Sequence, residues 1–433
     1  MNKSYRNPKD LPDLRLGFTI VLLGSGLLLL LGASPAAWAQ PEPGDVFREY
    51  TFTPQESFFS ELNPDTERDF DSSSAFYLDR PHAIKELSLD LEGATRAEMS
   101  VEYWGGHIGT SEQRFRVNGN AWTALPQPKG TPGAPECYFR TLLGAPVPVP
   151  LEQLRGGANQ FQFHAGPQRC HSFNWGMYWI YSFTVRVYYN PSEVDHPTGR
   201  ITAPASGTEL HENPVLAASA SSPNASVNRV DFIGRYRDFD WEGNGVFRQW
   251  HYQTQQGRWR KHIGTAERPD YKVVWNTKWV PDQNRPVQLM AKITDNRGVS
   301  YMTPTVEAAF ARPNRSVKMY PCQEVPEYFG VRTGSKKSCT ISVDNDLSEA
   351  TAARLMLSTW SAVSHSSSVH GIRINGALVA NNFGRFHDYS FDLLDPALEN
   401  VEEGANEITI YSESDGHPLE VNWPGPALFV EYR

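Results

Sequence analysis

Phe115-Arg-Val-Asn118-Gly119 reads like Ile372-Arg-Ile-Asn375-Gly376. In each, apolar and basic residues alternate and an Asn-Gly pair follows. Alternation places successive side chains on opposite faces of a strand. Asn and Gly both tolerate positive φ, so the pair marks a hairpin turn. The likeness continues outward in the same order. Upstream, Met99-Ser-Val-Glu-Tyr-Trp104 resembles Leu355-Met-Leu-Ser-Thr-Trp360. Downstream, Gly157-Ala-Asn159-Gln-Phe-Gln-Phe163 resembles Gly404-Ala-Asn406-Glu-Ile-Thr-Ile410, and Asn174-Trp175 resembles Asn422-Trp423. Four ordered matches at this distance mean two copies of one domain rather than a short solenoid unit. Period-two patterning recurs at Leu87, Leu89 and Leu91 and from Val287 to Ile293, while long helical periodicity is absent. The chain therefore reads as all-β.

The order of strand, Asn-Gly hairpin, Gly-x-Asn, strand, Trp and final strand resembles the jelly-roll β-sandwich of galactose-binding-like domains and many carbohydrate-binding modules. The resemblance covers about residues 45–190 and 316–433. It implies a fold rather than a ligand, because that fold also serves as a spacer and as an accessory to enzymes. Between the copies, Ile201-Thr-Ala-Pro-Ala-Ser-Gly207, Trp275-Asn-Thr277, Val280-Pro-Asp282 and Asp295-Asn-Arg-Gly298 follow one another. That order resembles the immunoglobulin-like modules of bacterial surface proteins and secreted glycan-active enzymes. The expected architecture is two jelly-roll β-sandwiches, residues 40–192 and 316–433, separated by an immunoglobulin-like β-sandwich, residues 197–312. Asn190-Pro-Ser and Ala311-Arg-Pro-Asn have linker composition at the two boundaries.

Residues 1–39 read as a signal peptide. Lys3, Arg6, Lys9 and Arg15 precede an apolar run from Leu16 to Gly32, and Ala37-Trp38-Ala39 fits a cleavage site before Gln40. The alternative is an uncleaved anchor, since the run is near the lower length limit for a spanning helix. Nothing later in the sequence is apolar enough to span. A secreted, periplasmic or cell-surface protein is expected. The formal charge is −9; four basic and two acidic residues leave with the signal, so −9 − 2 gives −11 for the mature chain. An acidic chain without a basic cluster argues against nucleic acid as a partner. The four cysteines are all in the mature part, with Cys137 and Cys170 in one region and Cys322 and Cys339 in another. An even number in an exported chain reads as two local disulfides.

Asp238-Phe-Asp240-Trp-Glu242-Gly243-Asn244-Gly245 alternates oxygen-bearing side chains with a glycine bend, the pattern a structural Ca2+ needs. It departs from an EF-hand at Glu242 and at Gln249, so an ordinary acidic hairpin loop is the competing reading. Trp104, Trp179 and Trp360 end strands or sit beside polar loops, and a flat aromatic face suits a sugar ring. The competing reading makes such rings core, as expected for Trp175 and Trp423. The middle region adds Trp241, Trp250 and Trp259, at least one of them core. No nucleophile elbow, zinc-protease helix or phosphate loop is present. The expected function is non-catalytic binding of a polysaccharide or glycoconjugate through Trp104, Trp179 and Trp360. The alternatives are a structural or adhesive surface protein, and a glycan-active hydrolase or lyase.

Overall fold

The computed structural model describes residues 41–53, 85–105, 108–126, 137–143, 146–164, 169–170, 178–361, 370–386, 388–415 and 418–433, without the side chains of Leu142 and Trp179. Residues 1–39, expected from the sequence to be a signal peptide, and Trp175 lie outside the described residues. Residues from Trp38 to Arg433 form one compact unit. Among the described residues the only helical elements are two 3-10 turns, Leu151–Gln153 and Leu398–Asn400, and the fold is all-β.

In the first sandwich one sheet runs Val46–Phe52, Trp179–Tyr189, Ala94–Trp104, with Thr141–Leu143 and Val147–Val149 at its edge. The facing sheet runs Lys85–Leu89, Gly157–His164, Arg114–Val117, Thr123–Ala124. The third sandwich has the same order. Ser316–Pro321, Ala427–Tyr432, Ala350–Ser361 and Asp388–Leu394 face Ser335–Val343, Gly404–Ser412, His370–Ile374 and Ala377–Asn381.

The quoted motifs show why. Asn118 and Gly119 have φ of 50° and 75°, and Asn375 and Gly376 have 49° and 83°, the left-handed values that such a turn requires. Asn118 donates from Nδ2 to Asn159 Oδ1 at 2.9 Å, and Asn375 donates to Asn406 Oδ1 at 2.8 Å. Each second Asn then pins its own turn. Asn159 Nδ2 donates to the carbonyls of Arg155 and Gly157, and Asn406 Nδ2 to those of Glu402 and Gly404. Both Asn159 and Asn406 are fully buried, so every bond of this set replaces one to water. The copies also carry a disulfide each: Cys137–Cys170 with Cα atoms 5.7 Å apart, and Cys322–Cys339 at 6.1 Å.

The middle sandwich is built on Val227–Arg237 paired with Val287–Asp295, against the sheet Thr198–Ala203, Val215–Ser221, Lys272–Val274. Its core holds Leu216, Val230, Phe232, Trp275, Leu289 and Ile293. The strand Val46–Phe52 also pairs with Ser300–Met302, through Val46 opposite Tyr301 and Phe47 opposite Ser300. One sheet therefore continues from the first sandwich into the middle one. The outer copies are apart in sequence but touch in space, so the middle sandwich does not hold them apart as a spacer would.

Candidate functional site

Trp104 and Trp360 are not exposed platforms. They stack on each other with centroids 4.0 Å apart and planes 5° from parallel, and are 4% and 3% exposed. Each indole N–H donates across the joint, Trp104 to Glu420 at 3.0 Å and Trp360 to the Tyr181 hydroxyl at 2.9 Å. The reason is area: a large ring at a strand end is covered most completely by its counterpart on the facing module. Trp179 lies on the strand opposite Trp104, and its side chain is outside the described set.

The acidic loop is occupied by protein donors. Asp240 accepts the backbone N–H groups of Gly243, Asn244 and Gly245. Asp238 accepts the Trp241 indole N–H at 2.9 Å. Glu242 accepts Asn244 Nδ2 at 2.6 Å and Gln253 Nε2 at 3.1 Å, while Asn244 Oδ1 accepts the Val246 N–H. Burial pushes these carboxyls up, Asp238 to about 6, Asp240 to about 7 and Glu242 to about 8. Asn244 thus links to both Asp240 and Glu242 while Asp238 bonds Trp241, and among the described residues no group of three or more acidic, His or Cys side chains is placed to hold a metal ion.

The concave feature lies where the first and middle sandwiches meet. On the outer face of the first sheet, polar residues alternate with the core set. Glu49 and Glu98 flank Arg186, and Thr51 and Ser100 flank Thr184. Arg186 donates to Glu49 at 2.8 Å and also pairs with Glu98. Lys292, 1% exposed, reaches Glu49 Oε2 at 2.8 Å, and the Tyr252 hydroxyl donates to Oε1 at 2.8 Å. Burial alone would raise the Glu49 carboxyl; the charges of Lys292 and Arg186 overcome this and hold it well below the usual range.

A hairpin of the middle sandwich, Gln253–Gln255 paired with Arg258–Arg260, roofs this face. Its turn residues Gln256 and Gly257 have φ of 50° and 73°. The Gln256 N–H donates to Glu102 of the first sandwich at 2.7 Å, and its side chain to Asp388 of the third at 3.1 Å. Tyr389 also donates to Glu102. Beneath the hairpin is a cleft of about 400 Å³ lined by Glu49, Arg186, Arg229, Tyr252, Arg258 and Trp259, with the hydroxyls of Thr51, Ser100, Thr184 and Thr254. Trp259 is half-buried and meets Tyr252 edge-on at 4.7 Å, with Lys292 Nζ 4.3 Å from its ring centre. A smaller, partly open pocket of about 30 Å³ adjoins it and touches both Glu102 and Glu242.

A second cleft, of about 330 Å³, lies between the middle and third sandwiches. Tyr236, Trp241, Trp275 and Trp279 line it with Asp238, Lys261 and Arg354. Lys261 and Arg354 sit 4.0 Å and 4.7 Å from the ring centres of Trp241 and Trp279. The second cleft draws on Asp238, Trp241 and Trp275, which the sequence motifs include, whereas of the first cleft's lining only Trp259 was named from the sequence. The signal in the sequence was the turn-centred run Gln253-Thr-Gln-Gln-Gly-Arg-Trp-Arg260, whose strands are only three residues long.

No family model matches this sequence, and no curated protein matches it. Matching solved structures include fibronectin(III)-like modules of Clostridium thermocellum CbhA, at 12% identity and a TM-score of 0.17 over 52% of this chain and 89% of that one. Others are a β-porphyranase of glycoside hydrolase family 86 from Bacteroides plebeius, at 15% identity and TM-score 0.22 over 50% of this chain, and a β-glucuronidase from Ruminococcus gnavus, at 14% and 0.21 over 66%. This chain spans 34% of the porphyranase and 47% of the glucuronidase. At these scores the likenesses say nothing of what this chain binds.

Proposed function

We propose that this protein acts outside the cytoplasm as a non-catalytic binder of a polysaccharide or glycoconjugate, through the cleft under the Gln253–Arg260 hairpin. One observation carries the reading. The cleft combines a half-buried tryptophan with a ring of hydroxyl, guanidinium and carboxylate groups. A sugar site needs both parts, an apolar face for the ring and fixed polar groups for its hydroxyls. The basic n-region and Ala-x-Ala site, together with two disulfides, support the compartment. Retention of the purified chain on insoluble and soluble polysaccharides tests the function. Trp259→Ala is expected to abolish retention while the chain stays folded by circular dichroism. A folded variant that still binds like the parent would remove the cleft from the account.

Hydrolysis is the second reading, because Glu102 and Glu242 face one cavity. Burial pushes them up to about 7 and about 8. Two-carboxyl glycoside hydrolysis needs one group ionised while the other is protonated, and a cavity of this volume admits a water rather than a sugar. Release of reducing ends from the bound polysaccharide would favour hydrolysis instead.

A further inference from the structure

We propose that the cleft is selective for anionic sugars, uronates or sulfated residues; this rests on the glycan-binding reading of the same site. The charge balance carries the argument. Under the cleft floor, Glu49 is shared by Arg186 and Lys292, and Glu98 pairs with Arg186. Asp231 lies 3.8 Å from Lys292 and takes the Thr265 hydroxyl at 2.7 Å. These acids are largely engaged by groups already inside the protein, though Asp231 Oδ2 accepts no hydrogen bond.

Two guanidiniums on the wall are not. Arg229 meets Asp231 through Nε alone, at 3.2 Å, and its side chain is 37% exposed. Arg258 is exposed and has no carboxylate partner among the described residues. Arg186, Lys292, Arg229 and Arg258 set against Glu49, Glu98 and Asp231 leave the site one positive charge in excess, on a chain whose formal charge is −9. On a chain of net negative formal charge, this concavity therefore carries a local excess of positive charge. A guanidinium presents paired N–H donors that match a carboxylate or sulfate. Arg258 and Trp259 both line the cleft, so a stacking face and an anion-seeking fork border the same space.

The test compares the full mature chain on polygalacturonate, alginate and a sulfated galactan against neutral glucan and galactan, from low to moderate salt. Polyanion binding is expected to exceed neutral-glycan binding and to fall with added salt. Arg258→Gln should weaken it by about tenfold or more, and Arg229→Gln should weaken it in the same sense. Arg268→Gln alters an exposed arginine away from the cleft and should change nothing. Equal binding of neutral glycans, with Arg258→Gln silent, would overturn the selectivity and leave the glycan reading standing. An equal loss in Arg268→Gln would show adsorption by net charge and overturn it as well. Failure to bind any of the polysaccharides would overturn both readings together.

Discussion

At the scale of single residues, the stacked pair Trp104 and Trp360 joins the outer sandwiches. Trp360 buries its ring on Trp104 and donates its N–H to a tyrosine of the other module. Removing the ring leaves a void at the joint and removes the hydrogen bond to Tyr181. Trp360→Ala is expected to cost ~3–5 kcal/mol, read as a shift in the urea midpoint. An unchanged midpoint would mean that the joint contributes nothing. Both tryptophans end strands, Ala94–Trp104 and Ala350–Ser361, and the sequence left each ring open to two readings, sugar platform or core. Periodicity reports which side chains leave the same face of a strand. It carries no information about a second module lying against that strand's end, so a buried contact and an exposed platform look alike. The cysteine pairing was legible for the opposite reason: each pair lies within one repeat copy and needs no knowledge of how modules meet.

The Gln253–Arg260 hairpin is the element on which the molecule turns. Its tip touches all three sandwiches, since Gln256 belongs to the middle one, Glu102 to the first and Asp388 to the third. The turn glycine allows no side chain there. A Cβ on Gly257 would lie 2.6 Å from Thr53 Cγ2, at a φ of +73°. Gly257→Ala should therefore strain the backbone by about 1–3 kcal/mol and lift the tip. The expected readouts are a lower melting temperature and faster hydrogen exchange at the Gln256 amide. Exchange as slow as in the parent would show that the tip stays seated. This element was hard to read in advance. The Asn-Gly pairs at 118–119 and 375–376 announce their turns, whereas Gln is an unusual residue at positive φ. Three-residue strands also give too few positions for alternation to show.

Across the whole molecule, the joints are rich in buried carboxyls with mostly neutral partners. Burial pushes Glu242 up to about 8, Asp240 and Glu102 to about 7 and Asp388 to about 6. Such a group holds its proton more tightly when folded than when unfolded. Its contribution is fully present below the unfolded values of 4.5 for Glu and 3.8 for Asp, and is lost as pH rises through the folded values. Glu49 works in the opposite sense, losing its contribution as pH falls below 4.5. Stability is therefore expected to decline between about pH 5 and 8.5, with the urea midpoint as the measure, and Glu242→Gln should flatten the upper part of that decline. A midpoint that rises steadily over this interval would contradict the burial of these groups. The polar composition of the first sheet's outer face has another consequence. Synthesis proceeds from the N-terminus, so the first sandwich emerges before Ser300, Gln256 and Trp360 exist to cover it. The face it must leave bare carries Glu49, Thr51, Glu98, Ser100, Glu102, Thr184 and Arg186, which water solvates well. An apolar face held open for so long would invite aggregation; this one is mostly polar and can wait in solution for its partners, with Phe47, Tyr188 and Trp104 as its sticky spots.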